Sequence, residues 1–193
     1  MKRFIIVLVF FMVSLTAFAE TYKNKLHVFT GSFTSDSMGK TANFIESDYE
    51  DNYLLALAYS RHIGNLFFDI EYGPEVGFAA RFGDKGTYEG WGGLFLRHKG
   101  ITVGSLRIGV GITGGVSWVN ETMGKERERT KNPHEDRDAY VLFYLGPEIS
   151  FSLQKFPRWE LVYRLHHRSG ADGTVGNMNE AYNANTIGLR YSF

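Results

Sequence analysis

Two side chains late in the sequence have the residue types of a hydrolytic nucleophile and its base. In the segment Trp159–Ser169, the odd-numbered positions carry four apolar residues followed by His167 and Ser169. Side chains alternate between the two faces of a strand, so both lie on the apolar face if this segment is extended. A histidine that accepts the hydroxyl proton makes serine nucleophilic enough to attack an ester. If the apolar face contacts lipid, a lipid ester can reach the pair.

A serine and histidine pair also needs a group that orients the imidazole and a donor that stabilises the oxyanion. Candidates for the orienting group lie in the last loop and at the start of the next predicted strand: Glu180, Asn183 and Asp172. Gly170 and Gly173 follow the serine and could offer backbone N–H groups to the oxyanion. The sequence therefore supplies every part of an esterase site but leaves the orienting residue open.

The first 19 residues have the pattern of a secretory signal peptide. Two basic residues precede an apolar run, and the segment ends in the small-x-small pattern Ala17-Phe18-Ala19. The sequence therefore predicts cleavage after Ala19 and a single domain over 20–193. No later segment reaches the length of apolar residues that a transmembrane helix needs.

The composition excludes several functional classes. The chain has no cysteine, so it can form neither a disulfide framework nor a thiolate metal site. Its 21 basic and 21 acidic side chains balance, which gives no electrostatic basis for binding nucleic acid. Nucleotide-binding and zinc-protease motifs are missing, so no cofactor or metal is expected. The 16 Phe, 11 Tyr and 22 Gly fit aromatic girdles and closely approaching strands.

Apolar and polar residues alternate along the chain after the leader, and this period predicts eight strands. In the fifth of them, Leu106, Ile108 and Val110 alternate with polar or small residues. The predicted strands cover 24–33, 52–62, 65–81, 88–98, 103–119, 139–153, 158–169 and 183–193.

The predicted connections distinguish a membrane barrel from a soluble one. Short links at Ile63-Gly64, Lys99-Gly100 and 154–157 alternate with longer links at 34–51, 82–87, 120–138 and 170–182. Outer-membrane barrels show this alternation, with short turns in the periplasm and long loops outside. The last strand also ends in Phe193, as outer-membrane barrels do. The sequence therefore predicts an all-β fold, an eight-stranded antiparallel up-and-down transmembrane β-barrel whose interior is filled by side chains.

Charged residues on the lumen side of the predicted strands are expected to pair with one another, because a lone buried carboxylate is costly. They are Asp69, Glu71, Arg107, Glu148, Glu160 and Arg190. His166 lies on the opposite face from His167 and is assigned to the same buried network. The mixed-charge segment 125–131, within the link 120–138, is expected to be a solvated external loop.

The site resembles that of the PagL-type lipid A 3-O-deacylases, which are eight-stranded outer-membrane serine esterases. The motif match covers Trp159 to the final strand, where His-x-Ser ends the penultimate strand and a glycine-containing loop follows. The resemblance implies removal of the ester-linked 3-hydroxyacyl chain of lipid A, with Ser169 as nucleophile, His167 as base and Glu180 as orienting acid. The family usually has Asn where Gly170 stands. Counting back from the last residue places Asn183 at the orienting position instead of Glu180.

The resemblance also implies that lipid A of lipopolysaccharide is the partner, that the protein resides in the bacterial outer membrane, and that two copies could pair through the lipid-facing surface. Two other functions remain open. The barrel could be non-catalytic, with a structural or adhesive role carried by the loops 34–51 and 120–138. It could also be a different lipid enzyme, such as an acyltransferase that uses the same face.

Overall fold

A computed structural model describes residues 22–130 and 139–193, so the predicted leader 1–19 lies outside the described residues. The strands of these ranges are β1 (Asn24–Thr34), β2 (Tyr49–Arg61), β3 (Gly64–Asn65), β4 (Ile70–Phe82), β5 (Thr87–His98), β6 (Ile101–Val103), β7 (Leu106–Val119), β8 (Val141–Leu153), β9 (Trp159–Ser169) and β10 (Ala181–Ser192). Two short helices lie between them, α1 (Met38–Thr41) and α2 (Gly124–Glu128). Neither helix has the length and apolarity needed to cross a membrane.

Eight of the strands form a closed antiparallel barrel. The hydrogen-bonded order is β2-β1-β10-β9-β8-β7-β5-β4, and pairing between β2 and β4 closes the ring. The two shortest strands, β3 and β6, extend the hairpins that lead into β4 and β7. Closure pairs the backbone groups of every edge, which is the condition for a sheet to cross a membrane. The predicted eight-stranded barrel is confirmed.

The outer wall of the barrel is apolar. Along β7, Ile108, Val110 and Ile112 are exposed, whereas Thr113 and Ser117 on the other face are buried. Each of the other barrel strands also exposes large apolar side chains on its outer face. A continuous apolar surface of this extent is unfavourable in water and is typical of a wall that faces lipid.

One predicted strand is interrupted by a turn. Residues 66–69 form the turn between β3 and β4, where Phe68 and Asp69 have φ of 58° and 54°. The prediction that the strand runs from 65 was therefore wrong, and Ile63-Gly64 lies in the hairpin arm and not in the turn. Alternation could not reveal this, because Leu66 and Phe67 continue the apolar pattern through the turn.

A second turn also lies later than predicted. Val103 of β6 pairs with Leu106 of β7, so the turn is formed by Gly104 and Ser105 and not by Lys99-Gly100. Gly104 has φ of 61°, in the left-handed region that glycine adopts at little cost. These two turns and the segment 154–158 define the short-turn end of the barrel. The connections 35–48, 83–86, 120–140 and 170–180 define the long-loop end.

Ion pairs fill the part of the lumen that is nearer the short-turn end. Both carboxylate oxygens of Glu148 accept hydrogen bonds from arginines, namely Arg97 at 2.8 Å, Arg164 at 2.6 Å and Arg190 at 2.5 Å. Glu75 of β4, which the strand pattern did not single out, pairs with Arg97 of the neighbouring strand β5 and with Arg164 of β9 on the opposite side of the barrel. All five side chains are buried. The lumen is therefore filled by side chains and not by an open channel.

The other charged residues that were predicted to face the lumen differ in their partners and in their burial. Glu160 is paired with Arg190 at 2.8 Å, and Glu71 lies 3.5 Å from Lys25. Arg107 donates to Ser152 Oγ at 3.1 Å. Asp69 was placed wrongly, because its side chain is 67% exposed in the turn 66–69 and faces Lys99.

Helix α2 closes the lumen at the long-loop end. Its Glu126 is fully buried between Arg81 of β4 and Arg168 of β9, strands that lie on opposite sides of the barrel. The expectation of a solvated segment over 125–131 was therefore wrong for Glu126, whereas the side chains of Lys125, Arg127 and Glu128 are exposed. Residues 131–138 lie outside the described residues. His166 lies in the lumen, as predicted, and belongs to the same group of buried charges near the long-loop end. Its Nε2 lies 2.8 Å from a carboxylate oxygen of Glu89.

Candidate active site

Two neighbouring strands bring the predicted site residues together. In the antiparallel pair β9 and β10, His167 lies opposite Asn183, and Ser169 lies opposite Ala181. Directly opposed residues project from the same face with Cβ atoms about 5 Å apart. His167, Ser169 and Asn183 therefore share the outer face of the wall at the long-loop end.

The Asn183 amide determines which imidazole nitrogen carries the proton. Its Nδ2 donates to the backbone carbonyl oxygen of Asp36 at 2.8 Å, and its Oδ1 lies 2.6 Å from His167 Nδ1. A carbonyl oxygen can only accept, so the amide nitrogen must face Asp36 and the amide oxygen must face His167. His167 Nδ1 is therefore the donor. Its Nε2, which has no hydrogen-bond partner among the described residues, keeps the lone pair that can accept a proton.

Ser169 lies two residues farther along the same face of β9, and its hydroxyl does not contact the imidazole through a hydrogen bond. Its Oγ accepts a hydrogen bond from the backbone N–H of Ala171 at 3.2 Å. No hydrogen bond joins it to His167 within the described part of the chain. Both side chains are half-buried. Proton transfer requires the serine hydroxyl to turn toward Nε2, and catalytic hydrogen bonds commonly tighten only in the substrate complex.

The backbone directly after Ser169 is strained. Ala171, Asp172 and Gly173 have φ of 47°, 56° and 82°, three successive left-handed conformations. The left-handed region costs a residue with a Cβ roughly 1–2 kcal/mol, and such strain concentrates at functional sites. The reversal of the chain here aims the Ala171 N–H at Ser169 Oγ.

The two predicted oxyanion glycines have different surroundings. The Gly173 N–H already donates to the carbonyl oxygen of Met178 at 2.9 Å, so in this arrangement it does not face the serine. A Cβ on Gly170 would lie 2.2 Å from the same carbonyl oxygen, so no side chain fits at this position. Packing thus explains why the residue after Ser169 is glycine. The backbone donor that does reach Ser169, at Ala171, depends on the loop conformation and left no signal in the sequence.

Glu180 does not contact the imidazole. Its carboxylate pairs with Arg129 Nε at 2.8 Å, and its side chain is 64% exposed. Of the three candidates for the orienting group, the structure places Asn183 against His167. The residue suggested by counting back from the last residue is therefore the one with the required contact.

The connection 35–48, here called the cap loop, covers Asn183 from the side of the outer wall. Asn183 is fully buried although its side chain points outward. Farther along the wall, Asn185 Nδ2 donates to the hydroxyl of Tyr49 at 3.0 Å. Phe44 of the cap loop packs on Tyr163 of β9 with ring centroids 6.0 Å apart. The cap loop therefore shields the back of the amide, a role that the sequence analysis missed.

Asp36 holds the cap loop in place. Its carboxylate accepts the Asp48 backbone N–H at 2.6 Å and pairs with Lys40 at 2.8 Å. Burial alone would raise the pKa of Asp36, but the hydrogen bonds from Lys40 and Asp48 outweigh burial and keep the pKa below its ordinary value. The carboxylate is therefore ionised at neutral pH, and the Asp36 carbonyl stays in place to orient the Asn183 amide.

Arg129 joins three segments around the site. Its guanidinium pairs with Glu180 and donates to the carbonyl oxygens of Ser35 and Ala181. Ser35 immediately precedes Asp36, and Ala181 begins β10 two residues before Asn183. The planar fork of donors thus fixes the cap loop relative to β10. In the sequence, Arg129 is one of several alternating charges, and nothing distinguishes it from its neighbours.

Comparison with known proteins identifies the architecture. No family model matches the sequence, and no curated protein matches it. Among solved structures, the chain is similar to Neisserial surface protein A, with 12% sequence identity, a TM-score of 0.54, and coverage of 88% of this chain and 97% of that one. It is similar to the outer membrane enzyme PagL, with 10% identity, a TM-score of 0.56, and coverage of 88% and 99%.

A third neighbour is the N-terminal β-barrel domain of Pseudomonas aeruginosa OprF, with 9% identity, a TM-score of 0.50, and coverage of 89% and 98%. At these identities, the likeness shows the fold and not the activity. These neighbours agree with the closed ring and the apolar outer wall. The chain is an eight-stranded β-barrel of the outer-membrane type.

Proposed function

We propose that this barrel is an outer-membrane serine esterase that removes an ester-linked 3-hydroxyacyl chain from lipid A. The observation that carries the proposal is the hydrogen bond from His167 Nδ1 to Asn183 Oδ1, which leaves Nε2 as a base on the same face as Ser169. In this reaction Ser169 is the nucleophile, His167 is the base and Asn183 is the orienting residue.

The position of the site favours a lipid substrate. His167 and Ser169 lie on the outer face of β9 near its end, above apolar outward residues such as Leu161. If the long loops are external, as in other outer-membrane barrels, this height corresponds to the outer leaflet, where lipid A lies. An acyl ester close to the lipid A sugars reaches the site without leaving the membrane. The fold shared with the outer membrane enzyme PagL is compatible with this activity and leaves it to be tested.

The reaction follows from the geometry. Ser169 Oγ attacks the ester carbonyl carbon while His167 Nε2 takes the hydroxyl proton. The Ala171 N–H, released from Ser169 Oγ, can donate to the oxyanion of the tetrahedral intermediate. The C–O bond to the sugar then breaks, and His167 returns the proton to the departing sugar oxygen. A water molecule hydrolyses the acyl-enzyme by the same route and releases the fatty acid.

Mass spectrometry of lipid A tests the proposal. Cells that express the wild type should lose one hydroxyacyl chain from lipid A, and cells that express Ser169→Ala should not. Heat-modifiable migration of both proteins on gels shows that each barrel is folded. An unchanged lipid A profile with the folded wild type would support the non-catalytic alternative, and the gain of a chain would indicate an acyltransferase.

Asn183 and Glu180 make a matched pair for identifying the orienting residue. Asn183→Leu removes the acceptor for His167 Nδ1 and frees the ring to rotate and to change tautomer, so we expect kcat to fall by about 10- to 100-fold. Glu180→Gln changes only an exposed side chain paired with Arg129, so we expect less than about a threefold change. The rates are compared on purified protein with lipid A in detergent micelles. The reverse order of effects would return the orienting role to Glu180.

Arg129 should matter through the position of the cap loop. Arg129→Met removes the donors to Ser35 and Ala181, so we expect faster proteolysis within 35–48 and a kcat about tenfold lower, because Asn183 loses its fixed carbonyl partner. Arg127→Met is the control, since the Arg127 guanidinium is half-exposed and pairs at 3.6 Å with Glu121. Equal effects of the two variants would show that Arg129 has no specific role in positioning.

A further inference from the structure

The two ends of the barrel differ in how their exposed cations are paired. At the long-loop end, each of the following cations forms an ion pair with a carboxylate: Lys40, Lys85, Lys125, Arg127 and Arg129. At the short-turn end, four exposed cations form no ion pair with any described carboxylate: Lys23, Arg61, Lys155 and Arg158. Among the cations that the structure describes, unpaired positive charge is therefore concentrated at the short-turn end.

The strand register gathers these cations on one side of the ring. Arg61 ends β2 opposite Asn24 of β1, and Asn24 exchanges backbone hydrogen bonds with Phe193. Arg158 immediately precedes β9, and its carbonyl oxygen accepts the Ser192 N–H at 2.8 Å. The two arginines are thus three strand spacings apart, about 14 Å at the usual separation of neighbouring strands. Lys23 precedes β1 between them.

Aromatic side chains surround the cations on the outer wall. The Arg158 guanidinium lies 4.6 Å from the ring centroid of Tyr22 and 3.4 Å from the Tyr191 hydroxyl. Tyr191 in turn packs against Trp159, with centroids 4.8 Å apart. Tyr59 lies two residues before Arg61 on the same outer face of β2, and its hydroxyl donates to Asn24 Oδ1. Aromatic girdles mark the height of the lipid headgroups, so these cations lie at headgroup level.

We propose that the short-turn ends of β2, β1, β10 and β9 form a binding site for the headgroup of an anionic glycerophospholipid. Guanidinium groups match phosphate oxygens in charge and in bidentate geometry. Arg61 projects from the outer face of β2, where the long stem of an arginine can lie against the apolar wall while its charged end extends toward the membrane surface. The acyl chains of the same lipid cover the outward residues just above, Val28, Leu57 and Leu189.

The apolar wall is the reason for choosing a phospholipid over a soluble polyanion. A soluble polyanion would contact the cations alone, whereas the acyl chains of a phospholipid also cover the exposed apolar residues of the wall. The candidate esterase site lies at the opposite end of β9, so this inference is independent of the proposed function.

Native mass spectrometry with defined lipids tests the site. The intact barrel is purified in mild detergent and titrated with phosphatidylglycerol or with phosphatidylcholine, which is zwitterionic. We expect preferential retention of phosphatidylglycerol by the wild type. The double variant Arg61→Gln/Arg158→Gln should bind it about 30-fold more weakly, at about 1 kcal/mol for each basic residue near a membrane surface.

Two further variants make the result specific. Lys85→Gln/Lys125→Gln removes the same charge from the long-loop end, where both lysines are already paired, and should weaken binding by less than about threefold. Arg61→Lys/Arg158→Lys keeps the charge and should retain an intermediate affinity, because lysine cannot form the bidentate contact. Equal retention of the two lipids by the wild type, or equal loss in the two glutamine variants, would overturn the proposal. An anionic soluble glycan that displaces phosphatidylglycerol would do the same.

Discussion

His167→Ala is expected to lower kcat/KM for lipid A deacylation by about 10³-fold or more. General base catalysis alone contributes about 10² to 10⁴ in rate, and a nucleophile and base that act as a unit lose most of their effect when either is removed. His167 Nδ1 is held by Asn183, so only Nε2 of this imidazole can accept the serine proton. Release of fatty acid from purified lipid A, measured over time, gives the rate.

A second histidine provides the control for this prediction. His62 lies at the short-turn end, where its ring bonds to Asn65 at 3.2 Å, so His62→Ala should change the rate by less than about twofold. Both variants should fold, since neither position contributes to the ion pairs of the lumen. A His167→Ala protein that keeps the wild-type rate would remove this histidine from the mechanism and leave Ser169 without a base.

Glu148→Gln should be among the most destabilising single substitutions in the barrel. The substitution removes the charge that three buried arginines share, and breaking a buried charge pair from one side costs about 3–5 kcal/mol. The free energy of unfolding, measured by reversible urea titration in lipid vesicles, should fall by that amount. Activity of the folded fraction should be preserved, because the carboxylate lies in the lumen and the candidate site lies on the outer wall.

Two comparisons separate the buried charge from a general effect of substitution. Glu128→Gln changes an exposed carboxylate on α2 that pairs with Lys125, and should shift the unfolding free energy by less than about 0.5 kcal/mol. The double variant Glu148→Gln/Arg97→Met removes one of the three arginines that lost the Glu148 charge and should regain part of the loss, a coupling between neighbours in one network. Additive losses in the double variant would contradict the electrostatic explanation.

The alternation of side chains along a strand was enough to predict that two residues of the candidate site share one face. His167 and Ser169 share a face because side chains alternate along any strand, so their placement depends only on local periodicity. Asn183 could not be chosen with the same certainty, because its contact depends on the register between β9 and β10. A shift of the register would have placed another residue opposite His167.

The remaining features depend on contacts between distant segments or on loop geometry. The carbonyl oxygen that orients Asn183 belongs to Asp36, far away in the chain, and no local pattern connects the two. The burial of Glu126 was hidden in a segment whose composition is that of a solvated loop. The turn at 66–69 was missed because apolar residues occupy it. Periodicity thus predicted the wall of the barrel, whereas the loops and the lumen contacts needed the folded structure.

The ion pairs that cross the lumen have a consequence for how the protein folds. Glu75 and Arg164 come from β4 and β9, which have three strands between them in either direction around the ring. An open sheet would hold these two side chains far apart and keep only the ion pairs between neighbouring strands, such as Glu75 with Arg97. The pairs that cross the lumen therefore form together with the pairing of β2 and β4 that closes the wall. Closure of the wall and completion of the lumen network are thus coupled.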